Sequence, residues 1–283
     1  LRIILFFTVI LTLCISYLSF FEIKTNKFNE IIKTEIIKQD NRLNLNLNSV
    51  FIKFNFRQLS FYLNSKNIDF FIQNENQKIA NVDILVSLSS LLKKENKPNK
   101  IIINSHENEI KSLLKFLRIY KINIPLLYLE NSVVKGNITY DIIINFQNNN
   151  LKNVQLSGDI INTELNILRK KKIENISLNF NYDNSKLQIE DLNLNYNKIN
   201  FKSKKITADF SKKLINIKGD VRNNVNSNLV SSIMNYNIES LVDEKNYLPS
   251  VSNFDLLLNK NFKLIDYKLD SEINYDKLYI NLK

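Results

Sequence analysis

Hydrophobic and polar residues along this chain follow two regimes. From Ile3 to Phe21 there are nineteen consecutive residues without a charge. That length matches the roughly 30 Å hydrocarbon layer of a bilayer at about 1.5 Å per helical residue. Beyond Asn41 the period becomes two. Leu43-Asn44-Leu45-Asn46-Leu47 alternates without error, and Ile52-Lys53-Phe54-Asn55-Phe56 resumes the pattern after a break at Ser49 and Val50. Strict alternation predicts strands with one apolar and one wet face, and the break predicts a turn or a bulge. Further strands are predicted at 58–63 and 68–72, joined by a turn at 64–67. Another runs over 78–88 into the apolar patch Leu88, Leu91 and Leu92, and a short one at 101–104 follows the polar loop 93–100.

A helix is predicted from Asn104 or Ser105 to about Tyr120, ending before Pro125. Glu107 stands three residues after Asn104, as in a capping box, and Ile110, Leu113, Leu114 and Leu117 share one helical face. The second half reads as short consecutive strands. Ile176 to Tyr182 is one, Asp183-Asn184-Ser185 a turn, and Leu187 to Ile189 and Leu192 to Tyr196 continue on either side of Glu190-Asp191, a pair read as a bulge or turn. Segments 199–201, 206–210 and 214–221 follow, then a helix at about 226–236 and strands at 254–258, 264–275 and 278–282. Regular short strands joined by polar turns predict antiparallel meander pairing. The expected organisation is an anchor at 1–21, an amphipathic helical stalk at 22–40, carried by Phe28, Ile31, Ile32 and Ile36, and an elongated β-rich region at 41–283 with a candidate subdivision near 93–125.

Composition changes this picture little. The 283 residues carry a net charge of +11 with only three glycines and three prolines, far below the usual glycine content of about 7%. Lys and Asn are correspondingly common, as in proteins from AT-rich genomes. The longest basic run is Arg169-Lys170-Lys171-Lys172, so the positive balance reads as a solvated surface and nucleic acid is not an expected partner. The one cysteine, Cys14, lies inside the apolar segment after Leu13, which excludes an internal disulfide and gives no lipoprotein signature. The bulky Tyr17, Leu18, Phe20 and Phe21 offer no small-x-small cleavage site, so the segment reads as an uncleaved anchor. Arg2 before it favours a cytoplasmic N-terminus, with the rest outside the cytoplasm. A chain opening on Leu1 is expected to be a piece of a longer protein.

No catalytic apparatus stands out. The only histidine, His106, falls at the start of a predicted helix and lacks further nitrogen or sulfur ligands, so it reads as a surface residue and no metal or cofactor is expected. There is no nucleophile elbow and no glycine-rich phosphate loop. What remains is an unusual quantity of one-sided sheet. Its apolar side must be buried in a sandwich, under helices, or around an apolar ligand.

The anchor, the helix after it, and the stretch Leu43 to Leu92 with Val50, Phe51, Ile68, Phe70, Ile79, Val82 and Leu85 in rhythm resemble the N-terminal part of the AsmA-like superfamily. The meander from Val154 to Val221 resembles the repetitive β region of its YhdP-type members. The resemblance implies a mainly β fold with two or three short helices, an antiparallel sheet curled into a taco-like groove behind an inner-membrane anchor, and a non-enzymatic protein whose bulk lies in the periplasm. It implies phospholipid or another acyl-chain ligand as partner, alongside outer-membrane or periplasmic proteins. The residues expected to line the groove are Leu45, Leu47, Phe54, Phe56, Leu178, Phe180, Leu194 and Phe201. A structural or assembly factor for outer-membrane biogenesis that carries no lipid is the alternative.

Overall fold

Alternating Leu/Ile/Phe and Asn/Lys/Ser positions favour extended backbone, because side chains two apart share a face, and strands dominate the result. The computed structural model describes residues 6, 16–17, 19–26, 29–92, 98–120, 124–147, 150–167, 171–196, 199–226 and 247–273. Its strands are β1 (Ile23–Thr25), β2 (Leu43–Asn46), β3 (Val50–Asn55), β4 (Ser60–Ile72), β5 (Glu75–Ser87), β6 (Lys100–Ser105), β7 (Asn108–Glu109), β8 (Val133–Gln147), β9 (Asn150–Ile167), β10 (Lys171–Asp183), β11 (Lys186–Tyr196), β12 (Ile199–Asp209), β13 (Ile215–Asn226), β14 (Tyr247–Leu258) and β15 (Leu264–Ile273). The helices are α1 (Asn29–Gln39), α2 (Leu88–Leu92), α3 (Ile110–Tyr120) and α4 (Ile124–Ser132). Hydrogen bonding orders the strands β1-β3-β4-β5-β6-β8-β9-β10-β11-β12-β13-β14-β15, with β2 on β4 and β7 on β8. Among the described residues no helix is long and apolar enough to cross a membrane. Residues 1–5, 7–15 and 18 of the expected anchor lie outside the described residues, as do residues 227–236 of the helix expected over about 226–236 and the strand over 278–282; Asn226 itself ends β13.

Several elements differ from their sequence-based outlines. The expected turn at 64–67 is the middle of the continuous strand β4, where Asn67 (φ 52°) adopts the left-handed conformation that asparagine tolerates. The helix expected from Asn104 begins only at Ile110. Asn104 and Ser105 extend β6 instead: Asn104 Nδ2 donates to Asp141 Oδ1 at 2.7 Å, and the Tyr140 amide donates to Ser105 Oγ at 2.7 Å. Phe116, rather than Leu117, turns inward on α3. Ile23–Thr25 pairs with β3, so α1 starts as a separate element rather than continuing an anchor helix.

The chain divides into two compact units. The first comprises residues 1–130 and 138–157, the second 131–137 and 158–283. In the first unit α1 and α3 cover part of one sheet face. Leu43, Ile72 and Phe116 form a buried cluster joined by Ile36, Phe70 and Ile119, with the Phe70 and Phe116 rings 5.3 Å apart. Arg42 caps the end of α3 by donating to the carbonyls of Ile119 (2.9 Å) and Tyr120 (3.3 Å). The same guanidinium, through its hydrogen bonds, holds the Asp40 carboxyl down at about 2. Helix α4 is tied to α3 by Arg118 Nε and Glu130 Oε2 at 2.5 Å.

In the second unit Gly136 on β8 lies close against β9. Its φ of 145° and the neighbouring Thr163 on β9 leave no room for a side chain: an added Cβ would lie 2.7 Å from Thr163 Cβ and 2.8 Å from Thr163 Cα. Because one of those atoms is backbone, no rotamer change relieves the clash. Gly136→Ala is expected to destabilise the protein by at least about 1–3 kcal/mol, read as a lower melting temperature.

Glu130 supplies a second test. The Arg118 hydrogen bond holds its carboxyl below the usual range; burial opposes this, and the charges of Arg118, Lys115 and Lys111 add to the lowering. A depressed carboxyl pKa contributes stability present above the unfolded value of about 4.3 and lost as pH falls through the folded value. The melting temperature of Glu130→Gln is therefore expected to lie below wild type near neutral pH, with the gap closing in acid.

Candidate functional site

The first unit builds an aliphatic cavity of about 350 Å³. Its floor comes from cross-strand register. Ile23, Ile52, Leu63, Ile84, Ile101 and Ile144 stand directly opposite one another across β1, β3, β4, β5, β6 and β8. Directly opposed residues share a face, so this row is apolar from end to end. The next row on that face runs Val50, Ser65, Val82, Ile103 and Ile142.

Apolar parity then switches within three consecutive strands or strand pairs. It changes between Leu45 of β2 and Val50 of β3, between Ser65 and Ile68 of β4, and between Val82 and Ile79 of β5. Asn67 sits at the second switch, and β5 carries one extra residue between Ile79 and Asn81 relative to β6. Residues on both sides of the switch, including Leu45, Leu63, Ile68, Ile79 and Ile84, nevertheless line the one cavity. The bulges thus return the apolar set to the face it would otherwise leave. Ile32 and Ile36 of α1 complete the wall.

The second unit repeats the device over more strands. From Glu174 to Ser177 β10 advances three residues while β11 advances two, placing the extra residue at Asn175 (φ 53°). From Ser177 to Asn179 β11 advances three to two, at Asp191 (φ 51°). From Lys202 to Ile206 β12 advances four while β13 advances three. In β9, Asn162 (φ 48°) donates its amide to Ser177 Oγ at 3.3 Å, in line with the rest. β13 has no shift against β14, so Ile217, Gly219 and Val221 share a face. Val221 lines a depression of about 300 Å³ with Ile173, Leu192, Leu194, Tyr196 and Phe201, while Gly219 pairs with Ile206. Both sides of the crease therefore present their apolar residues to the same side.

Two rows continue beyond the crease. Phe180, Ile189, Ile206, Gly219, Phe254 and Leu269 stand in register across β10 to β15, and Tyr182, Leu187, Ala208, Ile217, Leu256 and Tyr267 form the next. Each row spans about 24 Å at ~4.8 Å per strand. Gly219, the one gap, is filled by its neighbours: an added Cβ there would lie 2.9 Å from both Phe254 Cζ and Ile206 Cγ1. The opposite face is polar over the same strands: Asn181, Gln188, Thr207, Lys218, Asp255 and Lys268 stand in line, with Lys218 and Asp255 ion-paired at 2.8 Å. Among the described residues no helix lies on the apolar face of this unit, and Tyr267 and Leu269 are exposed.

The expected groove residues fall as follows. Leu45 and Leu47 line the aliphatic cavity. Phe54 is buried against Phe61, ring centroids 5.0 Å apart. Phe56 lies past the end of β3, in the turn before β4, and is exposed. Leu178 and Phe180 lie half-buried on β10, and Leu194 and Phe201 are direct cross-strand partners lining the smaller depression. Three further cavity-lining residues carry no groove signal of their own in the sequence, Ile84 on the long strand β5 and Ile101 and Ile103 on the short strand β6, and neither does the Gly219–Phe254 contact, which depends on register between residues 35 apart in sequence.

Polar groups gather on the other face of the first unit. Asn64 donates to Asn81 and Asp83, and burial, together with Asp83, raises the Tyr62 phenol. His106 is exposed, its Nε2 3.0 Å from Asn67 Oδ1. Among the described residues no cluster of three His, Cys, Asp or Glu side chains is placed to hold a metal. No protein-family profile, curated protein or solved structure matches the chain.

The crease gives a test at Asp191, an exposed residue. Asp191→Gly should leave stability within a few tenths of a kcal/mol, whereas Asp191→Val, a β-branched residue forced to positive φ, should cost about 1–2 kcal/mol in denaturant titration.

Proposed function

We propose that this chain is a non-enzymatic, membrane-anchored envelope protein of the AsmA-like kind, which binds or conducts phospholipid acyl chains along an apolar sheet face. The reading places its bulk in the periplasm behind an inner-membrane anchor. The observation that carries it is the pair of six-strand apolar rows in the second unit, backed by a polar row on the opposite face and covered by no helix among the described residues. Such a face is too large to stand in water without a partner. The aliphatic cavity of the first unit supports the same reading, since no charged side chain lines it.

Replacing Phe180 by Asp distinguishes an acyl-chain surface from a covered core. On a lipid-facing surface Phe180→Asp should lose co-purifying lipid and keep a melting temperature close to wild type. Under a packed covering, burying an unpaired charge costs several kcal/mol and collapses the fold. Native mass spectrometry and thermal melting of the full chain read the two outcomes. Unfolding of the variant, or wild type free of lipid, contradicts the proposal and favours a structural or assembly factor.

A further inference from the structure

The aliphatic cavity of the first unit has the chemistry of a site for hydrocarbon. Its lining is Ile, Leu, Val and Phe apart from Asn64 and Ser65. The donors of those two are committed elsewhere. Ser65 Oγ donates to the Ser49 carbonyl at 3.1 Å, and Asn64 turns its amide nitrogen to Asn81 and Asp83 on the other face. A cavity lined this way attracts no water, and leaving it empty costs stability in proportion to its volume.

Its size fits one chain and not two. An apolar cavity of about 150 Å³ takes a six-carbon ring, so in proportion one of about 350 Å³ takes roughly fourteen carbons. One end is closed by packed core. Phe70 lines the cavity and also packs on the buried cluster, its ring 5.3 Å from that of Phe116. Ile32 and Ile36 of α1 wall one side above the floor from β4, β5 and β6.

We propose that this cavity binds the one unbranched acyl chain of a single-chain lipid, about fourteen carbons long, and that Phe70 sets the length accepted. The headgroup stays outside, because no charged side chain lines the cavity to receive it. A fatty acid and a lysophospholipid of the same chain are therefore equivalent ligands, and the second chain of a diacyl lipid finds no place. This inference deepens the acyl-chain reading above and rests on it. An uncovered sheet face accepts chains of any length, whereas a cavity closed at one end measures them.

Native mass spectrometry of the full chain, titrated with fatty acids of increasing length, reads both affinity and number bound. Affinity should rise about fourfold per added methylene up to myristic acid and level off beyond it. Myristic acid and myristoyl lysophosphatidylcholine should bind alike, and dimyristoyl phosphatidylcholine no more tightly than the latter. Ile36→Trp, which fills the cavity from α1, should weaken myristic acid binding about tenfold. Phe70→Leu trims the closed end and should move the plateau to palmitic acid, a readout that stands even where Ile36→Trp does not fold. Phe180→Asp, in the second unit, should leave the plateau where it is. Affinity that climbs through stearic acid without levelling, a plateau unmoved by Phe70→Leu, or a diacyl lipid bound more tightly than its lysolipid overturns the proposal. If those results come with co-purifying lipid that Phe180→Asp abolishes, the sheet-face reading survives alone; a wild type that binds no lipid overturns both.

Discussion

Side-chain parity is the constraint on which everything else in this molecule rests. A pleated strand sends successive residues to opposite faces, so one inserted residue exchanges the faces of everything after it. The chain contains several such insertions, at Asn67, Asn175, Asp191 and in β12 before Ile206. At each, the apolar residues of the sequence change parity too. The two changes cancel, and each unit keeps its own continuous apolar face. The left-handed residues at these insertions, Asn67, Asn175 and Asp191, are Asn and Asp rather than glycine, which suits a chain with only three glycines.

Two features let such faces exist without disordering the sheet. Opposed residues form long apolar rows, interrupted at Ser65 and Gly219, so neighbouring side chains cover one another even where nothing lies above them. Where a row would have a hole, at Gly219, the Phe254 ring fills it. The polar face is held by cross-strand contacts such as Asn216 Nδ2 to Asp255 Oδ1 at 3.0 Å and the Lys218–Asp255 pair. In the first unit α1 and α3 cover part of the apolar face and leave the aliphatic cavity. That arrangement gives the proposed acyl-chain reading two distinct kinds of surface, a walled cavity and an uncovered sheet.

Much of the strand content was legible in the alternation itself, and Glu190-Asp191 was readable as an irregularity because two apolar parities meet there. The continuity of β4 through Asn64–Asn67 was not, since a polar tetrapeptide looks the same in a turn and in a bulged strand. The late start of α3 was hidden because Asn104 serves equally well as a cap and as a cross-strand partner of Asp141. β8 carries Ile138, Tyr140, Ile142, Ile144 and Phe146 at every second position, with Ile143 out of phase, a strand signal present in the sequence itself. Of the eight groove residues, Phe56 could be placed only from the structure, because β3 ends one residue before it. The buried pairing of Glu130 on α4 with Arg118 on α3 has no signature in the pattern of either helix.

Cysteine scanning along β11 and β13 tests the central claim most directly. With Cys14→Ser, each residue from 187 to 196 and from 215 to 224 is replaced in turn by cysteine, spin-labelled, and probed with an apolar and a water-soluble relaxing agent. The account predicts that in β11 positions 187 and 189 match 192, 194 and 196, with the alternation reversing at Asp191, while in β13 positions 215, 217, 219, 221 and 223 alternate without reversal. Uninterrupted alternation through Asp191 would contradict it, because Leu187 and Leu192 would then face opposite sides and no single apolar face would exist.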